Sequence, residues 1–486
     1  MELSTATLLL SISVASLAIL ASLLSRKSAP SSKRRRPPGP RCLPFIGSLL
    51  HLLTSEPQVA LRDLAKKHGP VMYLRLGHVD TVVISSPAAA QEVLRDNNLT
   101  FASRPSLVAT EILCYGNTDI AFAPYGAYWR TLRKICMVEL LSARKVRQFA
   151  PIRDTEILSL VTNVRAAARG GEPEQFLSAI GVALEYSGGF CVGDLFPSLW
   201  FVDVVTGVRR RLWRAHRVLD AVFEKIITRC EARREEKKST ATTGGGDDDL
   251  LSVMLRIKDE DGLEFPISTT NIKAVIVDMF TGGTETTSSA AEWIMSELMR
   301  SPEVMAKAQA EVRRTFGNKN PRDHESLIEG LCYTRMVVKE GLRLHPVLPL
   351  VLPRVCRETC DVGGFEVTEG TRVLVNVWAI GRSAEHWQDA EVFRPERFAD
   401  STATDYTGTR YEYLPFGSGR RMCPGGNFAM ATLELTVARL LYYFDWSLPN
   451  GIRPEELDMD MIVGATARRR NQLHLIAVPY NVPIDL

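Results

Sequence analysis

A glycine-rich, doubly basic segment of the sequence ends in a single cysteine and a Pro-Gly pair: Phe416-Gly417-Ser418-Gly419-Arg420-Arg421-Met422-Cys423-Pro424-Gly425. Glycine tolerates positive φ angles, so this backbone can turn tightly and approach a bulky planar group. An apolar helix is predicted next, from Asn427 to Tyr443, and Pro424 suits the first turn of such a helix. Cys423 would then lie at a helix N-terminus near the charge of Arg421, and both effects lower a thiol pKa.

A cysteine in this setting has two interpretations. It is either a buried structural thiol in a tight turn or the axial ligand of a haem iron. A thiolate ligand pushes electron density onto haem iron and favours cleavage of an O–O bond. Because all ten positions of the segment suit a chain that wraps closely around a haem, the sequence favours the haem ligand.

The segment resembles the haem-binding signature of the cytochrome P-450 family, Phe-x-x-Gly-x-Arg-x-Cys-x-Gly. The matching positions are Phe416, Gly419, Arg421, Cys423 and Gly425. The resemblance runs from about residue 37 to residue 478, and details such as the Pro-Pro-Gly-Pro hinge are similar to plant microsomal members. The sequence between residues 59 and 151 is similar to that of cereal enzymes that act on diterpene precursors.

This resemblance implies a mainly α fold with small β-sheets, the cytochrome P-450 fold. It implies haem b as the cofactor, with Cys423 as the iron ligand. The other four matching positions, Phe416, Gly419, Arg421 and Gly425, are then predicted to bind the haem. The implied activity is insertion of one oxygen atom from O2 into a hydrophobic small molecule.

A very long helix is predicted from Ser268 to Arg300, although its centre, Phe280–Thr287, contains two glycines and four threonines. Such a centre is weak by propensity and marks either a local distortion or a softened packing helix. In the family that this chain resembles, an acid–alcohol pair on this helix helps to deliver protons to dioxygen. By that match Glu285 is the acid and Thr286 the alcohol. The positions predicted to face the substrate are Ala274, Val275, Asp278 and Met279. Asp278 is unusual on an apolar face, and it is expected to meet either a polar substrate group or solvent.

Three residues outside the cysteine segment are predicted to meet the haem propionates. Trp129 and Arg133 lie four apart on a helix predicted from Tyr125 to Cys136, so they share one face. Their spacing resembles the family's helix that meets a propionate, although an ordinary amphipathic helix has the same spacing. Arg354 is the third candidate, because a guanidinium pairs well with a carboxylate.

Glu340 and Arg343, three residues apart, resemble the family's Glu-x-x-Arg motif, and Arg397 lies in the motif that pairs with it. A buried group of this kind costs several kcal/mol to break when one partner is lost, roughly 3–5 kcal/mol. We assign these three residues to structure and not to catalysis.

The N-terminus carries an uncharged run of 22 residues, Leu3–Leu24, followed by clustered Lys and Arg. A helix of this length spans a bilayer core of roughly 30 Å, and the following positive charge places the rest of the chain in the cytosol. The alternative is a cleaved signal peptide, which would need a basic region before the run. The prediction is a single-pass anchor (1–25) in the endoplasmic reticulum membrane, a basic, Pro-rich hinge (26–40) and a haem-binding domain (41–486).

The overall composition excludes some partners and implies others. A net charge of +3 over 486 residues gives no reason to expect nucleic-acid binding. The nine scattered cysteines fit unpaired thiols in a reducing compartment. No Gly-x-Gly-x-x-Gly motif follows a predicted strand, so electrons must come from elsewhere. The resemblance implies an NADPH–haemoprotein reductase in the same membrane as the donor, with NADPH used only indirectly. Arg130 and Lys134 are candidates for the surface that faces this partner.

One segment departs from the family pattern. The chain passes quickly from Arg165 to Gln175, where members of the family would carry at least one further helix. This departure keeps open an inactive or non-enzymatic haem protein. An isomerase or dehydratase on the same fold that needs no O2 is the other alternative, and the Glu285–Thr286 pair argues against it.

Overall fold

The computed structural model describes residues 35–54, 56–167, 191–239, 250–259, 265–399, 406–464 and 466–480. The predicted anchor, the first part of the hinge and the predicted shortcut beyond residue 167 lie outside the described residues. Within the ranges just given, no helix combines the length and the apolar character that a membrane crossing requires.

Helices form most of the described chain. They are α1 (Pro57–His68), α2 (Pro87–Gln91), α3 (Val108–Leu113), α4 (Ala127–Ile135), α5 (Ala143–Gln148), α6 (Ala150–Ala167), α7 (Val192–Leu195), α8 (Trp200–Val205), α9 (Val208–Ser239), α10 (Leu250–Asp259), α11 (Thr269–Arg300), α12 (Pro302–Phe316), α13 (His324–Leu327), α14 (Cys332–Leu344), α15 (Val377–Ile380) and α16 (Gly426–Tyr443). Short π-helical turns extend α2 from Glu92 to Asp96 and α4 from Cys136 to Leu140. The mainly helical prediction is therefore confirmed.

The strands are short. They are β1 (Val71–Leu76), β2 (Val79–Ile84), β3 (Arg354–Val355), β4 (Cys360–Val362), β5 (Phe365–Val367), β6 (Arg372–Val375), β7 (Phe444–Ser447), β8 (Met461–Val463), β9 (Ala467–Arg469) and β10 (Ile476–Pro479). A mixed sheet has the order β1-β2-β6-β3, and the pairs β4–β5, β8–β9 and β7–β10 form small sheets.

The hairpins differ in part from those that the sequence predicts. The sequence predicts one hairpin from two short runs, Val71–Leu76 and Thr81–Ser85, and β1 and β2 form it, with Val71 opposite Ile84. It predicts a second hairpin from Gly364 to Val377, but β6 instead pairs in parallel with β2 across the sheet. The turn lies earlier, at Gly363 and Gly364, which both have positive φ angles. A shorter hairpin, β4–β5, therefore replaces the expected one.

The long helix α11 runs through the middle of the fold, as predicted. Ser268 caps it, because its side chain accepts from Asn271 N while the Asn271 side chain accepts from Ser268 N. The first third of α11 packs into one apolar cluster through Ile272 and Val275. The last third packs into another through Ile294 and Leu298, together with residues of α16. The centre of α11 between these clusters is left for the site.

The predicted Glu340 network is confirmed as part of the scaffold. Arg343 and Arg397 both pair with the fully buried carboxylate of Glu340, at 2.7 and 2.9 Å. The remaining N–H groups of Arg343 donate to backbone carbonyls, including that of Gly381 at 2.5 Å. We define the Glu340 network as Glu340, Arg343 and Arg397. Each guanidinium group of the network pairs directly with the carboxylate, and the network joins α14 to the loop after α15.

Candidate active site

The cysteine segment forms a compact loop before α16. Cys423 N donates to Phe416 O at 3.0 Å and Met422 N donates to Gly419 O at 3.0 Å, which closes the loop on itself. The helix begins at Gly426 with Gly425 as its cap. The expectation for Pro424 is therefore wrong, because this residue precedes the helix and does not occupy its first turn.

Two glycines of the loop differ in their surroundings. Gly419 has a φ angle of +73°, and a Cβ atom there would lie 2.0 Å from Leu94 O, so this position requires glycine. A Cβ at Gly425 would lie 4.0 Å from Cys423 Sγ, which is an ordinary contact distance. Gly419 thus allows close approach of the loop to the turn after α2. Phe416 packs its ring against Gly426 on the helix side of the loop.

The Cys423 thiol is accessible on one side, although dense protein surrounds it. Burial raises the pKa of this thiol above its ordinary value, while the Gly425 N–H and the charge of Arg133 act in the opposite direction. The sequence predicted a lowered pKa through Arg421, and this is wrong. The charge that acts on the thiol belongs to Arg133, which reaches the loop by donating to Met422 O.

Arg421 points away from the thiol into the protein. Its Nε donates to Ala102 O at 2.6 Å, and its two terminal nitrogens donate to Ile120 O at 3.2 Å and to Ala123 O at 2.5 Å. The guanidinium stacks over Trp129, with 4.1 Å between its central carbon and the ring centroid. Trp129 Nε1 also donates to Ile120 O, at 2.9 Å.

Arg354 and Arg104 complete a group of cationic side chains beside the cysteine loop. Arg354 donates to Phe101 O at 3.3 Å and to Ser418 O at 3.1 Å, and its buried Nε has no hydrogen-bond partner among the described residues. Arg104 donates to Ala121 O at 3.0 Å. The sequence predicted no role for Arg104, although it lies in the segment Phe101-Ala102-Ser103-Arg104-Pro105. Only its position beside Arg354 and Arg421 identifies it.

We define the arginine cluster as Arg104, Arg133, Arg354 and Arg421. Burial lowers the pKa of all four guanidinium groups, to about 10 for Arg354 and about 9 for Arg421. Mutual repulsion lowers the pKa of Arg104 and Arg421 further, and Asp119 is the acid that opposes this effect. The cluster therefore carries an excess of positive charge close to an accessible thiol, and it fits a ligand with carboxylate groups such as the two haem propionates.

The centre of α11 is the other open surface. Gly282, Gly283 and Thr284 are exposed, and a Cβ at either glycine would meet nothing within 4 Å. Thr286, partly buried like Glu285, donates from Oγ1 to Gly282 O at 2.5 Å. The helix is continuous here, so the expected local distortion is absent. The space alongside results from missing side chains and not from a break in the helix.

Residues expected to face the substrate lie elsewhere. Ala274 and Val275 are fully buried, and Val275 packs in the core between α4, α9 and α11. Asp278 accepts from Ile120 N at 2.6 Å and from Ala121 N at 3.2 Å. The sequence left open whether Asp278 meets a substrate or solvent, and the structure joins it to a backbone segment. Phe280, 38% exposed, is the apolar side chain that α11 presents near its glycines.

A family model described as "Cytochrome P450" matches residues 37–184 and 186–474. The chain therefore belongs to the cytochrome P450 family. Proteins of this family bind haem through a cysteine thiolate and act as monooxygenases. They use O2, a hydrophobic substrate and a redox partner, and the plant members are typically membrane-bound.

Similar proteins agree with this result. A relative from Oryza sativa subsp. japonica named 9-beta-pimara-7,15-diene oxidase is 60% identical over 515 residues, which covers 100% of this chain and 99% of the relative. A cytochrome P450 of Sorghum bicolor is 61% identical over 512 residues, covering 96% of this chain and 98% of the relative. The predicted likeness to cereal members is confirmed.

A solved structure supports the fold. A zebra fish cytochrome P450 with abiraterone matches with a TM-score of 0.67 and 26% identity, over 87% of this chain and 100% of that chain. The predicted fold class, the haem cofactor and the class of enzyme, an oxidoreductase that uses O2, are thus all confirmed. The individual roles of the site residues remain predictions.

Proposed function

We propose that this protein inserts one oxygen atom from O2 into a diterpene hydrocarbon, with electrons from an NADPH–haemoprotein reductase. The observation that carries this proposal is the arrangement around Cys423. An accessible thiol lies in a closed loop beside four cationic side chains, and this combination matches one ligand that has both an iron and two carboxylates.

The proposed roles follow from the contacts of each side chain. Cys423 would hold the haem iron through Sγ, and bound haem would supply the activation of O2. Arg354, with its unpartnered Nε, would bind one propionate and Arg133 the other. Trp129, whose single N–H donates to Ile120 O, would place its ring against the haem. Arg421 stacks on this ring and donates to three carbonyls.

Thr286 and Glu285 are proposed to organise protons on the distal side. Thr286 Oγ1 is held by Gly282 O, which fixes the hydroxyl on the exposed face of α11. A hydroxyl oxygen in this position can still accept a hydrogen bond and pass a proton on. Glu285, next in sequence and partly buried, is the acid that would resupply it. Gly282 and Gly283 leave room for O2 and a water beside this hydroxyl.

The substrate class rests on two observations. The rice relative at 60% identity is named as an oxidase of a pimara-diene, which is a diterpene hydrocarbon. The exposed side chain of Phe280, 6.0 Å from the ring of Phe223, offers an apolar surface near the glycines of α11. A hydrocarbon without polar groups is recognised by such surfaces.

The reductase is proposed to dock on the cysteine-loop side. Arg130 and Lys134 on α4 and Arg420 on the loop are exposed basic residues. They lie close together, since Arg130 and Arg420 both approach the ring of Tyr125, at 5.8 Å. A basic surface of this kind attracts an acidic partner and makes association dependent on ionic strength.

Membrane attachment is proposed through residues 1–25, followed by the hinge 26–40 and the catalytic domain 41–486 in the cytosol. Trp200, Phe201 and Val205 of α8 are 56%, 49% and 83% exposed, which supports contact with lipid. Their neighbour Phe196 meets His78 at 5.3 Å, and His78 meets the exposed Phe45 at 6.4 Å. The apolar surface is thus continuous with the N-terminal part of the described chain.

The first experiment is the visible spectrum of the dithionite-reduced protein under carbon monoxide. We expect a strongly red-shifted Soret band that is lost in Cys423→Ser and retained in Cys332→Ser, a matched change at an exposed cysteine far along the chain. An ordinary haem band, or no band, in the wild-type protein would contradict the haem-thiolate assignment and favour a non-enzymatic product.

Turnover separates the enzymatic alternatives. The protein is incubated with a pimara-diene, a plant reductase, NADPH and isotopically labelled O2. Label in the product supports a monooxygenase, whereas product formed without NADPH would indicate an isomerase or dehydratase. Thr286→Val should lower product formed per NADPH and increase released peroxide, while Ser288→Ala on the same helix should not.

A further inference from the structure

The loop between α3 and α4 lies between the centre of the molecule and the arginine cluster. Tyr115, Gly116 and Asn117 are consecutive residues with positive φ angles of 51°, 73° and 57°. A left-handed conformation is unfavourable for the two residues that carry a Cβ. This loop therefore needs contacts from other elements to keep its shape.

One contact is an outer clasp at the surface. Tyr115 donates its hydroxyl to Asp220 of α9 at 2.8 Å, and Lys273 of α11 pairs with the same carboxylate at 2.7 Å. The clasp holds the first part of the loop. It makes no contact with the backbone of residues 119–123.

The second contact is an inner pair of carboxyl groups, Asp119 and Asp278, which are hydrogen-bonded to each other. Asp119 is fully buried, and its two oxygens accept from Phe122 N at 3.2 Å. Asp278 Oδ2 accepts from Ile120 N and Ala121 N, as described above. Burial raises the pKa of both groups, that of Asp278 well above its ordinary value.

The carbonyl groups of the same segment accept hydrogen bonds from residues on the haem side. Ile120 O accepts from Trp129 and Arg421, and Ala121 O accepts from Arg104. The N–H groups of residues 120–122 thus face the carboxyl pair, while carbonyls of residues 120, 121 and 123 face guanidinium or indole donors. In peptide groups 120–121 and 121–122 the N–H end faces the carboxyl pair and the C=O end faces the cationic cluster, so the two sets of contacts reinforce each other.

We propose that Asp278, paired with Asp119, is a positioning residue that fixes segment 119–123 and so holds the Trp129 ring, with Arg421 stacked on it, in place beside the haem. The inference rests on the proposed haem site. It assigns to the substrate-side helix α11 a role in holding the propionate-side residues, although none of these touches Asp278 directly. Loss of the pair should loosen haem binding and leave the Cys423 ligand in place.

The test uses protein that binds CO when it is reduced. It measures the rate at which this protein loses haem to an excess of a haem-free globin. Asp278→Ala leaves two buried N–H groups without an acceptor, so we expect haem loss to be roughly tenfold faster. Asp278→Asn keeps an acceptor oxygen and can donate its amide to Asp119, so we expect the rate to stay within about twofold of wild type. Tyr115→Phe, which opens only the outer clasp, should also stay near the wild-type rate.

Two further variants keep the result interpretable. Asp278→Thr is polar but too short to reach both N–H groups, so it should also lose haem roughly tenfold faster, and it provides the test if the alanine variant does not fold. The double variant of Asp278→Thr and Trp129→Phe should lose haem more slowly than the product of the two separate rate increases predicts. The reason is that both changes act on one contact at Ile120 O.

Three results would overturn the inference. They are haem loss at the wild-type rate in Asp278→Thr, haem loss in Asp278→Asn as fast as in Asp278→Thr, and effects of Asp278→Thr and Trp129→Phe that simply multiply. Each of them leaves the proposed function standing if the wild-type protein shows the red-shifted band. A wild-type protein without that band would overturn both proposals together.

Discussion

Two groups of buried arginines in this protein differ in whether a carboxylate pairs with them directly. In the Glu340 network, two guanidinium groups share one carboxylate at 2.7 and 2.9 Å, and backbone carbonyls take up the other donors of Arg343. In the arginine cluster, four guanidinium groups share backbone carbonyls, and the acid that acts on them, Asp119, is itself tied to Asp278. The same residue type thus builds scaffold where an acid compensates it, and a binding site for an anion where none does.

The largest expected effect breaks the compensated group. Glu340→Gln leaves two buried guanidinium groups without their carboxylate, and we expect the free energy of unfolding to fall by about 3–5 kcal/mol. Denaturant unfolding measures this loss, which should appear with and without haem. Glu396→Gln is the matched control, because its pair with Lys307 at 3.1 Å is largely exposed and is worth no more than about 1 kcal/mol. Equal losses in the two variants would contradict the comparison.

Changing the uncompensated group should affect binding more than stability. Arg354→Met removes one of several repelling charges, so the haem-free protein should keep its stability to within about 1 kcal/mol. Its affinity for haem should fall by roughly ten- to a hundredfold, the value of one charge-assisted hydrogen bond. Titration of haem into the apoprotein measures this. Arg357→Met, an exposed arginine three residues later, should bind haem as the wild type does. A stability loss as large as that of Glu340→Gln would make Arg354 a scaffold residue.

Two helical glycines, Gly341 and Gly283, differ in how closely other side chains pack against them. A Cβ at Gly341 would lie 2.4 Å from Ile294 Cγ1, so Gly341→Ala should destabilise the protein by about 1–3 kcal/mol. A Cβ at Gly283 meets nothing within 4 Å, so Gly283→Ala should raise the free energy of unfolding by about 0.5–1 kcal/mol. The same methyl group should slow CO binding to the reduced protein, which flash photolysis measures. Destabilisation by both changes would contradict an open face at the centre of α11.

The smallest expected effect is a pH dependence. Burial raises the pKa of Asp278 above its unfolded value of 3.8, so its contribution to stability is complete below that value and is lost as the pH rises through the folded pKa. Asp119 and Cys114 are the other titratable groups beside the Asp278 carboxyl group. The side chain introduced by Asp278→Asn does not titrate. The variant should therefore gain stability relative to wild type as the pH increases. Parallel denaturant titrations at acidic and alkaline pH test this, and a constant difference would mean that Asp278 keeps an ordinary pKa.

Sequence patterns located most of the elements that carry the site. The ends of α11 at residues 269 and 300, the β1–β2 hairpin and the Glu340 network all agree with their predictions. The helix ends and the hairpin depend on local propensity. The Glu340 network depends on short motifs, and the pairing of these motifs follows from the family resemblance. The predicted hairpin at residues 364–377 failed because β6 pairs with β2, a partner almost three hundred residues earlier.

The site itself was only partly predictable. Arg421 was expected to act on Cys423, yet its donors go to three carbonyls about 300 residues earlier in the chain. Arg104 and Asp119 were given no role and Asp278 was expected on the substrate side, because a single arginine or aspartate in a sequence carries no sign of its distant partner. Asp278 on an apolar helix face was the one signal, and it did not identify what the carboxyl group binds.

The sequence by itself determined the chemistry: a thiol that ends a tight glycine-rich loop, a helix with an acid and an alcohol beside two glycines, and a buried acid with two arginines. Local backbone geometry and residue type are sufficient for these features. The tertiary structure alone decided which charges meet and which stay in excess, since that depends on peptide carbonyls brought together from separate segments. The arginine cluster therefore becomes recognisable as an anion site only when residues 102–123, 354 and 421 lie side by side.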